Sequence, residues 1–186
     1  MAQAGPRIVP YAQVPPSPWL ASALDAIFFE ASATTAFASA EARTAFRRRW
    51  LDRYLEAAPD QAFVALGPRL GPGSDEVIGY LVGSLIDPAL DPHQADLDYV
   101  LAFAPLSQRY PAHLHINLAA GHRSGGIGAR LVQAFVAHAA AQGATGVHVV
   151  TAEGMRNVGF YLRNGFAQLG QTSWRGRSLL FLAREL

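Results

Sequence analysis

The chain contains no cysteine and no lysine. Without cysteine there is no disulfide framework, no thiolate metal site and no thiol nucleophile. Without lysine, all fifteen basic residues are arginine, and the chain has no lysine side chain of its own to acetylate. Charge of either sign is scarce too: charged residues make up 16% and the net charge is +1, so nothing attracts the chain generally to nucleic acid or to an anionic membrane. No apolar run reaches the length of a membrane span, and the N-terminus lacks a charged segment followed by an apolar core. These absences predict a cytoplasmic protein. What remains is 186 residues, 51% hydrophobic, without internal repeats, which is enough for one α/β domain with a substantial core.

The first sixteen residues hold four of the twelve prolines, and Arg7 to Tyr11 reads as a short edge strand, where Pro10 is tolerated. Ser17-Pro18 starts a helix that runs to about Glu30, with Trp19, Leu20, Ala23, Leu24, Ile27 and Phe28 at helical spacing. A second helix covers about Ala40 to Ala58, striped by Phe46, Trp50 and Tyr54 and stopped by Pro59. Its charge run, Arg47 to Arg49, reads as a solvated face, with contact to an anionic ligand as the alternative. Strands follow at Ala62 to Leu66 and Glu76 to Leu85, joined by the turn-rich stretch Gly67 to Asp75. Asp87 to Tyr110 reads as a long irregular connection, in which Asp96 and Asp98 are surface carboxylates or a pair facing a cleft. Near the end come a strand at Gly146 to Thr151, a helix at Met155 to Arg163 and a hairpin of Phe166 to Trp174 with Ser178 to Glu185. The order is β-α-α-β-β-β-α-β-α-β-β.

At the centre lies His113 to Gly128, HLHINLAAGHRSGGIG. A strand, His113 to Ala119, alternates His113, His115 and Asn117 with Leu114, Ile116 and Leu118. A glycine-dense turn follows, and then an amphipathic helix from about Ile127 to Gln142, closed by Gly143. A glycine turn entering a helix offers unpaired N–H groups and the positive end of the helix dipole, which suits phosphate. Glycines at 125, 126 and 128 let the backbone approach a ligand without a Cβ in the way. No Lys-Ser or Lys-Thr follows the glycines, so this is not a P-loop. Nor is the dinucleotide fingerprint complete, since its third small residue and its distal acid are missing.

Arg123-x-x-Gly126-x-Gly128 is similar to the Q/R-x-x-G-x-G/A element of the GNAT (GCN5-related) N-acetyltransferases. Asn157 to Phe166, NVGFYLRNGF, resembles that family's element of an asparagine followed by Y-x-x-x-G-F, with Asn157 four residues before Tyr161, and it begins 34 residues after Arg123 with a strand between. The element order resembles the family fold, a mixed and mostly antiparallel sheet flanked by helices. The likeness covers roughly the last 125 residues well and the first two helices by pattern alone.

The resemblance implies an acyl-CoA-dependent N-acyltransferase with acetyl-CoA as co-substrate and an amine as acceptor. Arg123, Ser124, Gly125, Gly126, Ile127 and Gly128 would wrap the coenzyme pyrophosphate. Ile116 and Leu118 would pair their backbone with the pantetheine arm, and Asn157 would bond that arm. Tyr161 would stand near the sulfur and protonate the departing thiolate; otherwise it is a core aromatic beside Phe160 and Phe166. For the base that takes the ammonium proton the residues offer several candidates without deciding among them: His115 could serve, with His113, Asp98 or ordered water as alternatives, and a histidine simply bonded within the sheet fits His115 as well. His113-x-His115 lacks a third metal ligand, and no metal is expected. The acceptor is unassigned among small amines, amino sugars and peptide N-termini, and a homodimer is left open. A coenzyme-binding module without catalysis is the competing class, and a purely structural domain a third.

Overall fold

The computed structural model describes residues 5–32, 34–68 and 75–186. Most of the turn-rich stretch expected between the second and third strands lies outside them. The chain forms two units, one from residues 1–82 and 115–135, the other from 83–114 and 136–186.

In the first unit, β1 (Arg7–Pro10) pairs antiparallel with β2 (Phe63–Gly67), and β2 with β3 (Glu76–Ser84). Pro10 sits on the end strand, where a missing donor costs nothing. Helix α1 (Pro18–Ala31) starts as expected, with Ser17 Oγ accepting from the Leu20 N–H at 3.2 Å. Leu20, Leu24, Ile27 and Phe28 are buried with Val64, Val77 and Tyr80 in the unit's core.

The second expected helix is not uniform. It runs as α2 (Ala40–Arg47), a π-helical segment (Arg48–Asp52) and α3 (Arg53–Ala57). The Arg53 N–H reaches back five residues to the Arg48 carbonyl, which widens the helix there. As a result Leu51 and Tyr54 become the buried residues, while Phe46 and Trp50 are only partly covered. The arginine run is not a simple solvated face either. Arg47 is largely covered and pairs with Asp25 at 3.1 Å and with Asp52, while Arg43 pairs with Asp25 at 3.0 Å. These pairs tie α2 to α1.

In the second unit, residues 87–110 are more regular than their prolines suggested. A 3₁₀ turn (Pro92–Gln94) and two short helices, α4 (Tyr99–Ala102) and α5 (Ala104–Ser107), bury Leu97, Val100 and Phe103 at a spacing of three. Asp91 caps the first turn by accepting from the His93 N–H at 2.9 Å. Asp96 and Asp98 are exposed, and Asp98 accepts from the Trp174 indole. Strand β4 (Ala112–Leu118) pairs parallel with β5 (Gly146–Ala152) through Ala112↔Val147 and His113↔His148. β5 pairs antiparallel with β7 (Arg177–Glu185), and β7 with β6 (Ala167–Trp174). The β6–β7 turn places Arg175 (φ 49°) and Gly176 (φ 74°) in the left-handed region, the geometry a two-residue hairpin turn demands. Helix α6 (Ile127–Ala141) ends before Gly143 (φ 81°), and α7 (Asn157–Arg163) before Gly165 (φ 83°).

The hydrogen-bonded strand order is β1-β2-β3-β4-β5-β7-β6, a seven-stranded and mostly antiparallel α/β sheet. No helix among the described residues is long and apolar enough to cross a membrane.

His113 gives the fold a pH dependence. Burial lowers its pKa to about 4, against the opposing pull of the Pro111 backbone and the Asp91 and Asp87 carboxylates. Between about pH 6.5 and 4 the unfolded chain therefore binds the proton that the folded chain refuses. Stability from this group is complete above the unfolded pKa and is lost as the pH falls. Urea unfolding should show a loss of about 2 kcal/mol between pH 7 and pH 5, mostly absent in His113→Leu. An equal loss in that variant would assign it to other groups.

Candidate functional site

The site residues of the first unit begin on the second half of β4. The Ala119 N–H donates to the Ile78 carbonyl of β3 at 3.1 Å. Backbone groups alternate along a strand, so Asn117 and His115 also turn theirs toward β3, and Ile116 and Leu118 turn theirs away from it. Within this unit that far side is a strand edge, and residues 115–118 are half-exposed where 112–114 are buried. Such an edge can accept an extended chain carrying amides, as though it were one more strand. The Leu118 carbonyl already has a donor, Arg123 Nε at 3.0 Å.

The chain then makes a 3₁₀ turn (Ala120–His122) and reaches the glycines. Left-handed backbone falls on Ser124 (φ 68°) and Gly126 (φ 80°). Of the three glycines expected to clear the approach of a ligand, only Gly126 has left-handed backbone, and Gly128 lies inside the first turn of α6. Ser124, Gly125 and Gly126 are exposed, whereas Ile127 and Gly128 are buried. A Cβ built at Gly126 meets nothing within 4 Å, and one at Gly125 meets only the His122 carbonyl oxygen at 4.0 Å. The backbone is open at the point where the first N–H groups of α6 lack partners in their own helix. Those features fit a diphosphate. Arg123 is held: besides Leu118, its Nη2 lies 3.8 Å from Glu30 Oε2.

The other face of β4 carries His115 and Asn117. His115 Nε2 lies 3.0 Å from the Tyr54 hydroxyl, and its ring meets the edges of Trp50 and Tyr54 at centroid distances of 5.4 and 5.2 Å. Asn117 Nδ2 donates to the Tyr80 hydroxyl at 2.7 Å, and burial pushes the pKa of that phenol up. Tyr54, Trp50, Tyr80 and Glu30 are the neighbours that sequence reasoning missed. Trp50 and Tyr54 showed as a helical stripe, but nothing in the pattern tied them to a strand some sixty residues on.

The second unit holds Asn157 and Tyr161, four apart and so on one face of α7. Asn157 Oδ1 accepts from Thr151 Oγ1 at 2.9 Å, which orients the amide and leaves Nδ2 without a hydrogen bond among the described residues. Tyr161 is 4% exposed and packs against Phe160 and Phe166 at centroid distances of 5.2 and 5.5 Å. Burial raises its pKa, so the phenol stays protonated at neutral pH. Its hydroxyl makes no hydrogen bond among the described residues and is not one of their fully buried unpaired polar atoms. No group of three or more His, Asp or Glu side chains among the described residues is arranged to hold a metal ion.

The motifs and the fold agree with what the chain matches. The acetyltransferase (GNAT) family matches residues 29–166, and the chain belongs to that family, whose general reaction is acetyl transfer from acetyl-CoA. Among solved structures, SsHAT is 21% identical with a TM-score of 0.71, over 98% of each chain. An N-acetyltransferase from Staphylococcus aureus Mu50 is 18% identical with a TM-score of 0.64, over 98% of this chain and 99% of that one. The NatC complex bound to Gag peptide and CoA is 13% identical with a TM-score of 0.64, over the same two shares. These structural likenesses establish the fold.

Proposed function

We propose that the chain is an N-acetyltransferase that moves an acetyl group from acetyl-CoA to a primary amine of a small molecule, amino sugar or peptide by direct attack. Acetyl-CoA supplies the activated thioester. The Ser124 to Gly128 backbone holds the diphosphate, while the edge of β4 at Ile116 and Leu118, together with Asn157 Nδ2, orients the amide-bearing arm. The amine nitrogen forms the new C–N bond as the C–S bond breaks, and a backbone N–H stabilises the carbonyl oxygen that gains charge. The ammonium proton goes to His115, and Tyr161 gives its proton to the departing sulfur. The observation that carries this reading is the Tyr161 hydroxyl: carried on a buried ring, protonated, and without a hydrogen bond among the described residues, it is a donor open to an arriving acceptor. A relative of the same fold solved with CoA and a peptide supports the coenzyme and keeps peptide acceptors in range.

The experiment is a thiol-release screen over amines, amino sugars and peptide N-termini, with product mass measured. An acceptor-dependent thiol and a product heavier by one acetyl group are expected. Binding of acetyl-CoA without turnover across the whole panel would make the protein a coenzyme-binding module instead. With an acceptor in hand, His115→Gln should depress turnover most near neutral pH, and the deficit should shrink as the amine deprotonates unaided. A pH–rate profile superimposable on that of the parent would remove His115 from the reaction.

A further inference from the structure

We infer that Glu30, at the end of α1, is the positioning residue for the diphosphate turn; this rests on the coenzyme reading above. Two contacts converge on one oxygen. Glu30 Oε2 accepts the Ala120 N–H at 2.9 Å and lies 3.8 Å from Arg123 Nη2. Arg123 in turn donates through Nε to the Leu118 carbonyl at 3.0 Å. The carboxylate therefore grips the chain by a hydrogen bond where it leaves β4, with a looser charge contact to the guanidinium where it enters the glycines. Between those two contacts lies the 3₁₀ turn Ala120–His122, and immediately after them the left-handed residues Ser124 and Gly126. No glycine or proline holds the entering segment in shape from within, apart from Gly121.

This arrangement gives Arg123 a different part from the one its motif implies. Its Nε is committed to the Leu118 carbonyl, while its Nη2, buried and without a hydrogen bond among the described residues, stands 3.8 Å from the Glu30 carboxylate and offsets its negative charge beside an anionic ligand. The backbone N–H groups are left to bind the diphosphate. The ion pair itself is half-exposed and geometrically loose, and such pairs contribute little by themselves. The stronger element is the carboxylate accepting a backbone N–H, a charge-assisted bond. Glu30 also lines an open cleft of about 540 Å³ with Trp19, Ala23 and Glu76, so shortening it exposes space to water and leaves no core void.

The test measures coenzyme A affinity by calorimetry on the full chain, with amide exchange at Ala120 followed in the same variants. Glu30→Ala should weaken coenzyme A binding about tenfold, as expected for loss of a charge-assisted hydrogen bond, and should speed Ala120 exchange. Glu30→Gln keeps an acceptor oxygen and should recover most of both. Maximal turnover at saturating coenzyme should be unchanged in each, so the effect falls on KM. Arg123→Gln should weaken binding as well, and the double variant with Glu30→Ala should be little worse than the poorer single one, because both act on one turn. Parent affinity in Glu30→Ala, tighter binding from relieved repulsion, or fully multiplicative losses would each overturn the inference. Failure of the parent chain to bind coenzyme A would instead remove the coenzyme reading, and this inference with it.

Discussion

Tyr161→Phe is expected to lower the maximal rate by at least tenfold, within the roughly 10²–10⁴-fold range of general-acid contributions, while coenzyme affinity barely moves. The ring keeps its contacts with Phe160 and Phe166. The hydroxyl removed has no hydrogen-bond partner among the described residues, so its loss breaks no native bond and should leave the melting temperature close to that of the parent. What disappears is an interaction formed as the thiolate departs, and a loss confined to the transition state appears in kcat rather than in binding. Steady-state kinetics with saturating acetyl-CoA, alongside calorimetric affinity, separates the two. Parent turnover in the Phe variant would reduce Tyr161 to a packing residue.

The second large effect concerns the turn. Gly125→Val should abolish most of the thermal stabilisation that acetyl-CoA confers, about 2.7 kcal/mol at a hundredfold excess over the dissociation constant. The position suits the test because Gly125 is exposed and a Cβ there meets nothing closer than 4.0 Å, so the ligand-free fold should tolerate the change. Gly126 suits it less: at φ 80° any side chain is strained, whatever room surrounds it. Two melts, with and without acetyl-CoA, decide the matter. A shift of parental size in Gly125→Val would mean that the phosphates lie elsewhere.

Local chemistry made most of the fold legible. Ser17-Pro18, Gly143, Asn164-Gly165 and Arg175-Gly176 mark their own helix starts, helix ends and hairpin turn, because capping and left-handed backbone are decided by a few adjacent residues. The strand-turn-helix at β4 and α6 was readable for the same reason, and so was Asn157 four residues before Tyr161. The π-helical widening at Arg48–Asp52 was not, since nothing in RRWLD differs from an ordinary helix and the choice is made by burying both Leu51 and Tyr54. The short helices within 87–110 were hidden by prolines that break the pattern yet are tolerated in first helical turns. Least legible were the partners of the site: Tyr54 meets His115 across 61 residues and Glu30 meets Ala120 across 90, and no periodicity reports on such pairs. Left-handed Ser124 was equally hidden, because nothing in the residue itself marks it for positive φ.

The central claim is that this chain uses acetyl-CoA, and the most direct measurement is a calorimetric titration of the unmodified protein with that compound, repeated with acetyl-pantetheine, which lacks the diphosphate. The expected result is binding of one acetyl-CoA per chain, much weakened when the diphosphate is missing. No heat of binding and no change in melting temperature at saturating acetyl-CoA would contradict the account at its root.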